Sequence, residues 1–403
     1  MRTDPERLSF EISARDGAAR TGRLLTARGP VSTPAFVPLA TRGSVRSLDS
    51  ADVAGLGYEM VLGNTFHLFL TPGGERIAKL GGLHRFMGWE RAIITDSGGF
   101  QVFSLAHGNV ADEIKGRRGR AGSSGSVLEI SEDGVRFRSY VDGSERFLGP
   151  EGSMRVQADL ASDIALAFDE CTPFHADRDY TARSTERTHR WLERCLAWHS
   201  EHGPERQAVF GIVQGGVHED LRRASAEAVS AAAVDGISIG GTLGEDKPQM
   251  YGVLDMTLPR LPAEAPRHLL GIGEPDDLLE GIARGIDLFD CAVPTRLARH
   301  AMALAPLPDS RFRFDLRRAT HAEDEAPLVE GCPCPTCATH SRAYLHYLCR
   351  ERELTGVRLL AIHNLAFLER LVAGAREAIA GARFEAFREA VAGGSAPWEA
   401  AGG

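Results

Sequence analysis

Four stretches decide the fold: AVFGIVQG (208–215), GISIGG (236–241), RHLLGIG (267–273) and DLFDCAVP (287–294). Each is a short apolar or β-branched run closing on Gly, Gln or another small or polar residue. None alternates apolar with polar positions. Continuous hydrophobic strands are what a parallel sheet covered on both faces requires. Working toward the N-terminus, four more runs of this kind precede them: AFVPLA (35–40), EMVLGN (59–64), AIITDS (92–97) and DIALAFDE (163–170). Helix-like stretches separate most of them, among them RSTERTHRWLERCLAWHS (183–200), HEDLRRASAEAVSAAAV (218–234) and PDDLLEGIARG (275–285). The last opens on Pro then Asp, a favourable helix start. Eight alternating β/α units predict an α/β fold, a closed (β/α)8 TIM barrel. The rival, an open doubly wound sheet, lacks a G-x-G-x-x-G after its first strand.

Outside the barrel, FEISARDGAARTGRLLTARG (10–29) reads as an N-terminal hairpin turning at Asp16-Gly17. The long connection 104–150 carries the Gly/Arg/Ser-rich KGRRGRAGSSGS (115–126), read as a loop, and then a small hairpin within VLEISEDGVRFRSYVDGSERF. The expected organisation is a hairpin cap over 1–30, the barrel over 31–325 with its insertion at 104–150, an inserted cysteine-bearing subdomain over 326–375, and a C-terminal helix with a disordered tail over 376–403.

The composition is that of an ordinary globular protein, 43% hydrophobic and 25% charged. No apolar run reaches the roughly 18–20 residues needed to span a bilayer. The first twenty residues are charged throughout, unlike a signal peptide. These features predict a cytoplasmic protein without a membrane partner. The formal net charge is −9, so any nucleic-acid contact has to come from local basic patches.

Barrels place their working groups at the carboxyl ends of the strands. That rule selects Asp96, Asp169, Gln214, Gly240, Gly241, Gly273 and Asp290. Asp96 has a bland reading as a helix cap. The Ser97-Gly98-Gly99 that follows shifts the balance, because paired glycines let a ligand approach free backbone N–H groups. Asp290 sits in an apolar strand, where an unpaired carboxylate is expensive, so it needs a partner such as Arg296 or a chemical task. Asp169 is followed by Glu170, and one of the two is expected to be structural. Two carboxylates facing one anomeric carbon support double displacement at a glycosidic bond. Strand ends alone predict glycosyl or acyl chemistry with carboxylates.

Seven cysteines are an odd number, and Cys332, Cys334 and Cys337 crowd into CPCPTC (332–337). In a cytosolic chain three thiolates so close predict a structural zinc site rather than disulfides. Spacing leaves the fourth ligand open among His340, His346, Cys349 and His363. A metal-dependent barrel hydrolase would need ligands at strand ends, and His67 and His268 are too few and badly placed for that.

TDSGGFQVFSL, AFDECTP, GIVQGG, SIGGTLGE, GIGEPDDLLEGIARGIDLFDCAVPTR, and CPCPTC followed by IHNLAFL together resemble one family, the bacterial-type tRNA-guanine transglycosylases or queuine tRNA-ribosyltransferases. The likeness runs from about residue 8 to about residue 370, with the motifs in family order. It implies a glycosyltransferase of queuosine biosynthesis, exchanging the wobble guanine of G-U-N anticodons for 7-aminomethyl-7-deazaguanine through a covalent enzyme–RNA intermediate. Asp290 resembles the nucleophile and Asp96 the general acid/base. Ser97, Gly98, Gly99, Phe100, Asp169, Gln214, Gly240, Gly241 and Leu270 match the base pocket, with Phe100 and Leu270 on the two faces of the base. Gly271, Gly273, Thr295, Arg296 and Arg299 match the RNA-contacting stretch. Further candidates for phosphate contacts are Arg311, Arg313, Arg317 and Arg318, with the 115–120 run. His363 matches the fourth zinc ligand. The resemblance also implies a tRNA anticodon loop and purine bases as partners and a homodimer formed partly through the zinc subdomain.

The chain departs from the family pattern in four places. GGTLGE (240–245) replaces GGLAVGE and is one residue shorter, in the loop that senses the incoming base. That leaves queuine salvage as a rival substrate assignment. PTRLARHA stands for PTRNARNG, Glu274 for a commonly basic residue, and the sequence assigns no role to the 106–126 insertion. A non-catalytic RNA-binding paralogue would lack the carboxylates, which are both here. A DNA-acting relative is the remaining alternative.

Overall fold

The computed structural model describes residues 7–106, 127–173, 175–241 and 243–402. The 115–120 basic run lies outside the described residues, as does the rest of 107–126.

The chain opens with an antiparallel sheet of β1 (Leu8–Asp16), β2 (Ala19–Thr26) and β3 (Gly29–Thr33), in that order. The expected hairpin is there, with its register Asp16↔Ala19 across the turn, but Gly29–Thr33 adds a third strand paired to β2. From Phe10 onward half-buried and exposed positions alternate in β1, as in a sheet with one covered face.

The barrel strands follow: β4 (Ala35–Ala40), β5 (Met60–Gly63) and β6 (Ala92–Thr95). The insertion contributes β7 (Val127–Ile130), β8 (Val135–Arg138) and β9 (Glu145–Leu148), a three-stranded antiparallel sheet where a hairpin was expected. Then come β10 (Ile164–Leu166), β11 (Ala208–Val213), β12 (Gly236–Ile239), β13 (Arg267–Leu269) and β14 (Leu288–Cys291). Strands β4–β6 and β10–β14 close into a parallel barrel in which β14 pairs with β4. All eight are the predicted runs, and β5, β6, β11, β12 and β14 are buried at every position.

Successive residues of each strand serve two cores. Val37, Met60, Leu62, Ile94, Phe210, Ile212 and Leu288 fill the barrel interior, joined by Leu8, Leu24 and Val31 of the N-terminal sheet. That sheet therefore plugs the end of the barrel opposite the strand carboxyl termini. Their neighbours Val61, Ile93, Val209, Ile237 and Phe289 face outward into the layer beneath the helices.

The helix Arg178–His202 starts five residues before its predicted bound, because Asp177 caps it by accepting from the Tyr180 N–H at 2.7 Å. After β14, a short helix Val293–Arg299 leads into β15 (Met302–Leu304) and β16 (Arg313–Asp315), then helices Pro335–Thr339 and Arg342–Arg350. The long helix Leu354–Ala380 returns to pack on β4 and on Val293–Arg299, while holding His363 in its middle. One helix thus serves both barrel wall and cysteine cluster. The end of the chain, expected to be disordered, forms a short helix Pro397–Ala400, with the Trp398 ring edge-on to Phe367 at 6.1 Å. Trp398 packs partly buried against the core and anchors this tail, which its Gly/Ala-rich composition hides.

Candidate active site

The carboxyl ends of the strands surround a cavity of about 190 Å³. Its walls include Asp96, Ser97, Phe100, Asp169, Gly240, Gly241, Leu270, Gly271, Asp290 and Arg296, all selected from the sequence. Leu39, Leu62, Leu166 and Ile212 supply an apolar lining from the barrel interior.

Asp96 follows β6 directly. Asn64, at the end of β5, caps the helix Thr65–Leu70 through its side-chain oxygen and turns its amide nitrogen onto Asp96 Oδ2. The Thr65 and Gly98 N–H groups donate to Oδ1 at 2.8 and 3.2 Å. Burial pushes the Asp96 carboxyl up to about 7; the Thr65 bond opposes this, and the charges of Asp290 and Asp169 add to it. Asp96 does more than the bland reading as a cap of its own helix: Oδ1 also serves the Thr65 N–H of the neighbouring helix, and the carboxylate lines the cavity.

Asp169, beyond β10, accepts from Ser97 Oγ at 2.8 Å and from Gln214 Nε2 at 2.6 Å. Burial again dominates, raising it to about 6 against those two bonds. Glu170 points the other way and is structural: Tyr180 donates to it at 2.6 Å and Arg187 pairs with it at 2.5 Å. Gln214 is buried behind Asp169, with Oε1 left without a hydrogen bond. Gly99 and Gly241 are required by space. A Cβ on Gly99 would lie 2.4 Å from the Asp169 carbonyl oxygen, and one on Gly241 2.2 Å from Gln214 Oε1.

Asp290 ends β14, 7% exposed. Its Oδ1 accepts from His268 Nε2 at 2.9 Å and from the Gly271 N–H at 3.3 Å. The expected partner Arg296 lines the cavity without pairing to it. Gly273, expected to contact RNA, does not line the cavity. It is a packing glycine, since a Cβ there would sit 2.5 Å from Cys291 Cβ. Thr295 is buried within its helix, and Arg299 is exposed near the rim.

Sequence reasoning missed several residues. Arg222 is buried and ties the carbonyls of Gly216, Val213 and Gly240 together at 2.7, 3.2 and 2.9 Å, fixing the glycine loops. Asn64 and His268 hold the two catalytic candidates. At the rim, Arg42 and Arg46 join Arg296 and Arg299. Arg299 is held below the ordinary guanidinium value by burial, then by Arg46 and Arg296. His67 is lowered to about 4 by burial, then by Arg42 and Arg46. Tyr140, half-exposed on the insertion sheet, lies with its hydroxyl 2.8 Å from His67 Nδ1 and its ring centroid 5.9 Å from the Arg42 guanidinium. By contrast, Arg313 pairs with Glu274 at 2.5 Å and Arg317 with Asp315 at 2.8 Å. Only proximity in space, not local charge density, distinguishes these two groups of arginines.

In the C-terminal region, Cys332, Cys334, Cys337 and His363 form a cluster able to hold a metal ion, with all four ligand atoms within 4.8 Å of one another. His363 Nδ1 lies 3.8, 3.5 and 3.3 Å from the three sulfurs, and its Nε2 is 2.8 Å from the Leu304 carbonyl oxygen, which orients the ring. His346 is instead engaged with the Leu316 carbonyl oxygen at 2.6 Å, and His340 stacks on Tyr344. Among the described residues no helix is long and apolar enough to cross a membrane.

A barrel mouth holding three carboxylates, an amide and close-approach glycines over an apolar floor defines an α/β-barrel enzyme with carboxylate chemistry. The comparisons narrow the class. A family model described as "Queuine tRNA-ribosyltransferase" matches residues 16–396. A queuine tRNA-ribosyltransferase of Roseiflexus sp. (strain RS-1) is 51% identical over 94% of this chain and 98% of that relative. Those of Azotobacter vinelandii (48%, 94% and 96%) and Herpetosiphon aurantiacus (45%, 94% and 91%) are similar over comparable spans. The chain belongs to the queuine tRNA-ribosyltransferase family, a family of pentosyltransferases.

Proposed function

We propose that this enzyme exchanges the wobble guanine of G-U-N anticodon tRNAs for 7-aminomethyl-7-deazaguanine by double displacement, in queuosine biosynthesis. The observation that carries the reading is the pairing of roles at one cavity. Asp290 is held by two N–H donors, while Asp96 is raised to about 7, where it gives and takes a proton at cellular pH. An Asp290 oxygen bonds to ribose C1′ as the C1′–N9 bond breaks, and its electron pair leaves with guanine, which takes a proton from Asp96. The incoming base then returns a proton to Asp96, and its nitrogen bonds to C1′ while the carboxylate departs. Asp169 and Gln214 offer an acceptor and an amide to the polar edge of a purine, and Phe100 and Leu270 flank its faces. An anticodon loop suits such a pocket, because its bases are unpaired and cheap to extrude. Arg42, Arg46, Arg296 and Arg299 supply the local positive rim that a chain of net charge −9 needs for RNA.

The three thiolates and one imidazole suit zinc, which in a four-ligand site of this kind is structural. Cys332, Cys334, Cys337 and His363 would hold it and pin the subdomain to the long barrel helix. Exposed Tyr344, Tyr347 and Leu354 beside that subdomain favour a homodimer formed there. A cytoplasmic location accords with a tRNA substrate.

The test is incorporation of labelled guanine into an unmodified G-U-N tRNA by the wild type and by Asp290→Ala. Label entering with the wild type alone supports glycosyl exchange and the nucleophile. Competition between 7-aminomethyl-7-deazaguanine and queuine then assigns the base admitted by the short GGTLGE loop. No exchange by a wild type that still binds the tRNA overturns the reading and leaves the non-catalytic paralogue.

A further inference from the structure

Beneath the cavity, β12, β13 and β14 run side by side, with Ser238 in register with His268 and His268 with Leu288. Leu288 belongs to the core inside the barrel. Register partners share a face, so Ser238 and His268 also point into the barrel, as does Asp290 two residues beyond Leu288. His268 is fully buried and has no part in the exchange chemistry described above.

Three observations give it a task. Its Nε2 and the Gly271 N–H both fall on Asp290 Oδ1. Among the described residues no hydrogen bond falls on Oδ2, so the two carboxylate oxygens are inequivalent. His268 Nδ1 and Ser238 Oγ are both buried without a partner. Two such groups on adjacent strands, roughly 5 Å apart by strand spacing, make no direct bond to each other, and one water between them would satisfy both. A donor to Nδ1 places the imidazole proton on Nε2, facing Asp290. A purely structural imidazole would be a poor filler here, since burying it costs free energy unless both nitrogens are engaged.

We propose that His268, backed by Ser238, is the positioning residue that fixes Asp290 with Oδ1 held and Oδ2 presented to the ribose. This rests on the exchange reaction proposed above. Oδ2 forms the bond to C1′ and later takes its electron pair back. Oδ1 becomes the carbonyl oxygen of the ester, still hydrogen-bonded to His268 and Gly271, and His268 keeps its proton throughout. The line Ser238–His268–Asp290 sets orientation, so its loss should slow the chemical step without weakening either substrate.

The test compares His268→Leu, His268→Gln and Ser238→Ala in the full-length, metal-loaded protein. It measures kcat and KM for guanine exchange, the RNA adduct retained on denaturing gels, and thermal melting. Gln keeps a donor near the position of the imidazole Nε2; Leu keeps bulk alone. The expected result is a kcat lowered about 10²-fold in His268→Leu with both KM values within about threefold. Adduct formation should slow in parallel. His268→Gln should recover at least about tenfold of that loss, and Ser238→Ala should lose several-fold. If His268→Leu does not fold, His268→Gln and Ser238→Ala decide: retained exchange by Gln with a several-fold loss in Ala supports the role. Wild-type kcat in His268→Leu, or equal loss in the folded Gln and Leu variants, overturns it. If the wild type exchanges nothing, the proposed function fails instead, and the two failures are distinct.

Discussion

The strand β14 carries a buried carboxylate at each end, and the two are treated oppositely. Asp287, just before the strand, is 0% exposed and clamped by Arg20 through Nε at 2.8 Å and Nη2 at 2.5 Å, with the Arg267 N–H adding a third bond at 2.7 Å. Arg20 also donates to the carbonyls of Ala263 and Ala265, so the plug and the barrel floor are tied in one network. Asp290, three residues on, meets an imidazole and a backbone N–H in place of a guanidinium, and Asp96 and Asp169 beside it have only amide, hydroxyl and backbone donors. The floor sets a guanidinium against Asp287; the mouth sets none against its three carboxylates. On this strand the structural carboxylate has a guanidinium, and the one that faces the cavity does not.

The largest expected effect comes from exchanging the two ends. Asp290→Asn should lower guanine exchange by at least about 10³-fold, as removal of a nucleophile does, with a melting temperature near wild type. Asp287→Asn should do the reverse. Leaving Arg20 buried without its partner is expected to cost about 3–5 kcal/mol of stability, read by urea unfolding, while the folded protein keeps its kcat. A stable Asp287→Asn protein with depressed kcat would break the division between floor and mouth.

Asp169 sharpens it with a smaller effect. Its carboxyl is raised to about 6 in the folded protein, above the ordinary 3.8, because burial disfavours the charge. The native state therefore keeps a proton that the unfolded chain releases. This group favours folding fully below about 3.8, and that contribution is lost as pH rises through about 6. Asp169→Asn should therefore stabilise the protein at pH 8, by about 2–3 kcal/mol, and make little difference at pH 4. The amide is accommodated if Gln214 flips, since its Oε1 has no partner at present. The same variant should raise the KM for the incoming base. Equal stability at pH 8 would mean that the mouth carries no electrostatic penalty at this position.

What the sequence made legible follows from how local each signal is. The barrel strands are continuous apolar runs, visible without partners, and Asp96, Asp169 and Asp290 follow from their position at strand ends. Third strands such as Gly29–Thr33 and Glu145–Leu148 were missed because GPVST and ERFL have no pattern of their own; pairing to a neighbour creates them. His268 reads in the sequence only as a poor metal ligand, since its contact with Asp290 arises from the register of β13 against β14, which spacing does not reveal. Arg42 and Arg46 lie in a short loop far in sequence from Arg296 and Arg299, and only barrel closure gathers them. Arg313 and Arg317 looked equally basic, and Glu274 and Asp315 neutralise them in space.

Those two sets of arginines give the smallest effect and the finest division. Arg46 has no acidic partner among the described residues, and with Arg42 and Arg296 it acts on its neighbours as uncompensated positive charge. If Arg46 meets a phosphate of the single-stranded loop, it releases a condensed counterion there. Arg46→Ala should then reduce the slope of log affinity against log salt by about 0.7 and weaken tRNA binding a few-fold at low salt, with the gap closing at high salt. The KM for the free base should not move, because the base lies in the cavity below the rim. Arg317→Ala is the control. Its guanidinium is engaged by Asp315 on an exposed surface, so removing it should leave both the slope and the affinity unchanged. A salt slope that falls equally in the two variants would show that RNA affinity follows total positive charge, and that the arginines brought together at the mouth have no privileged part in it.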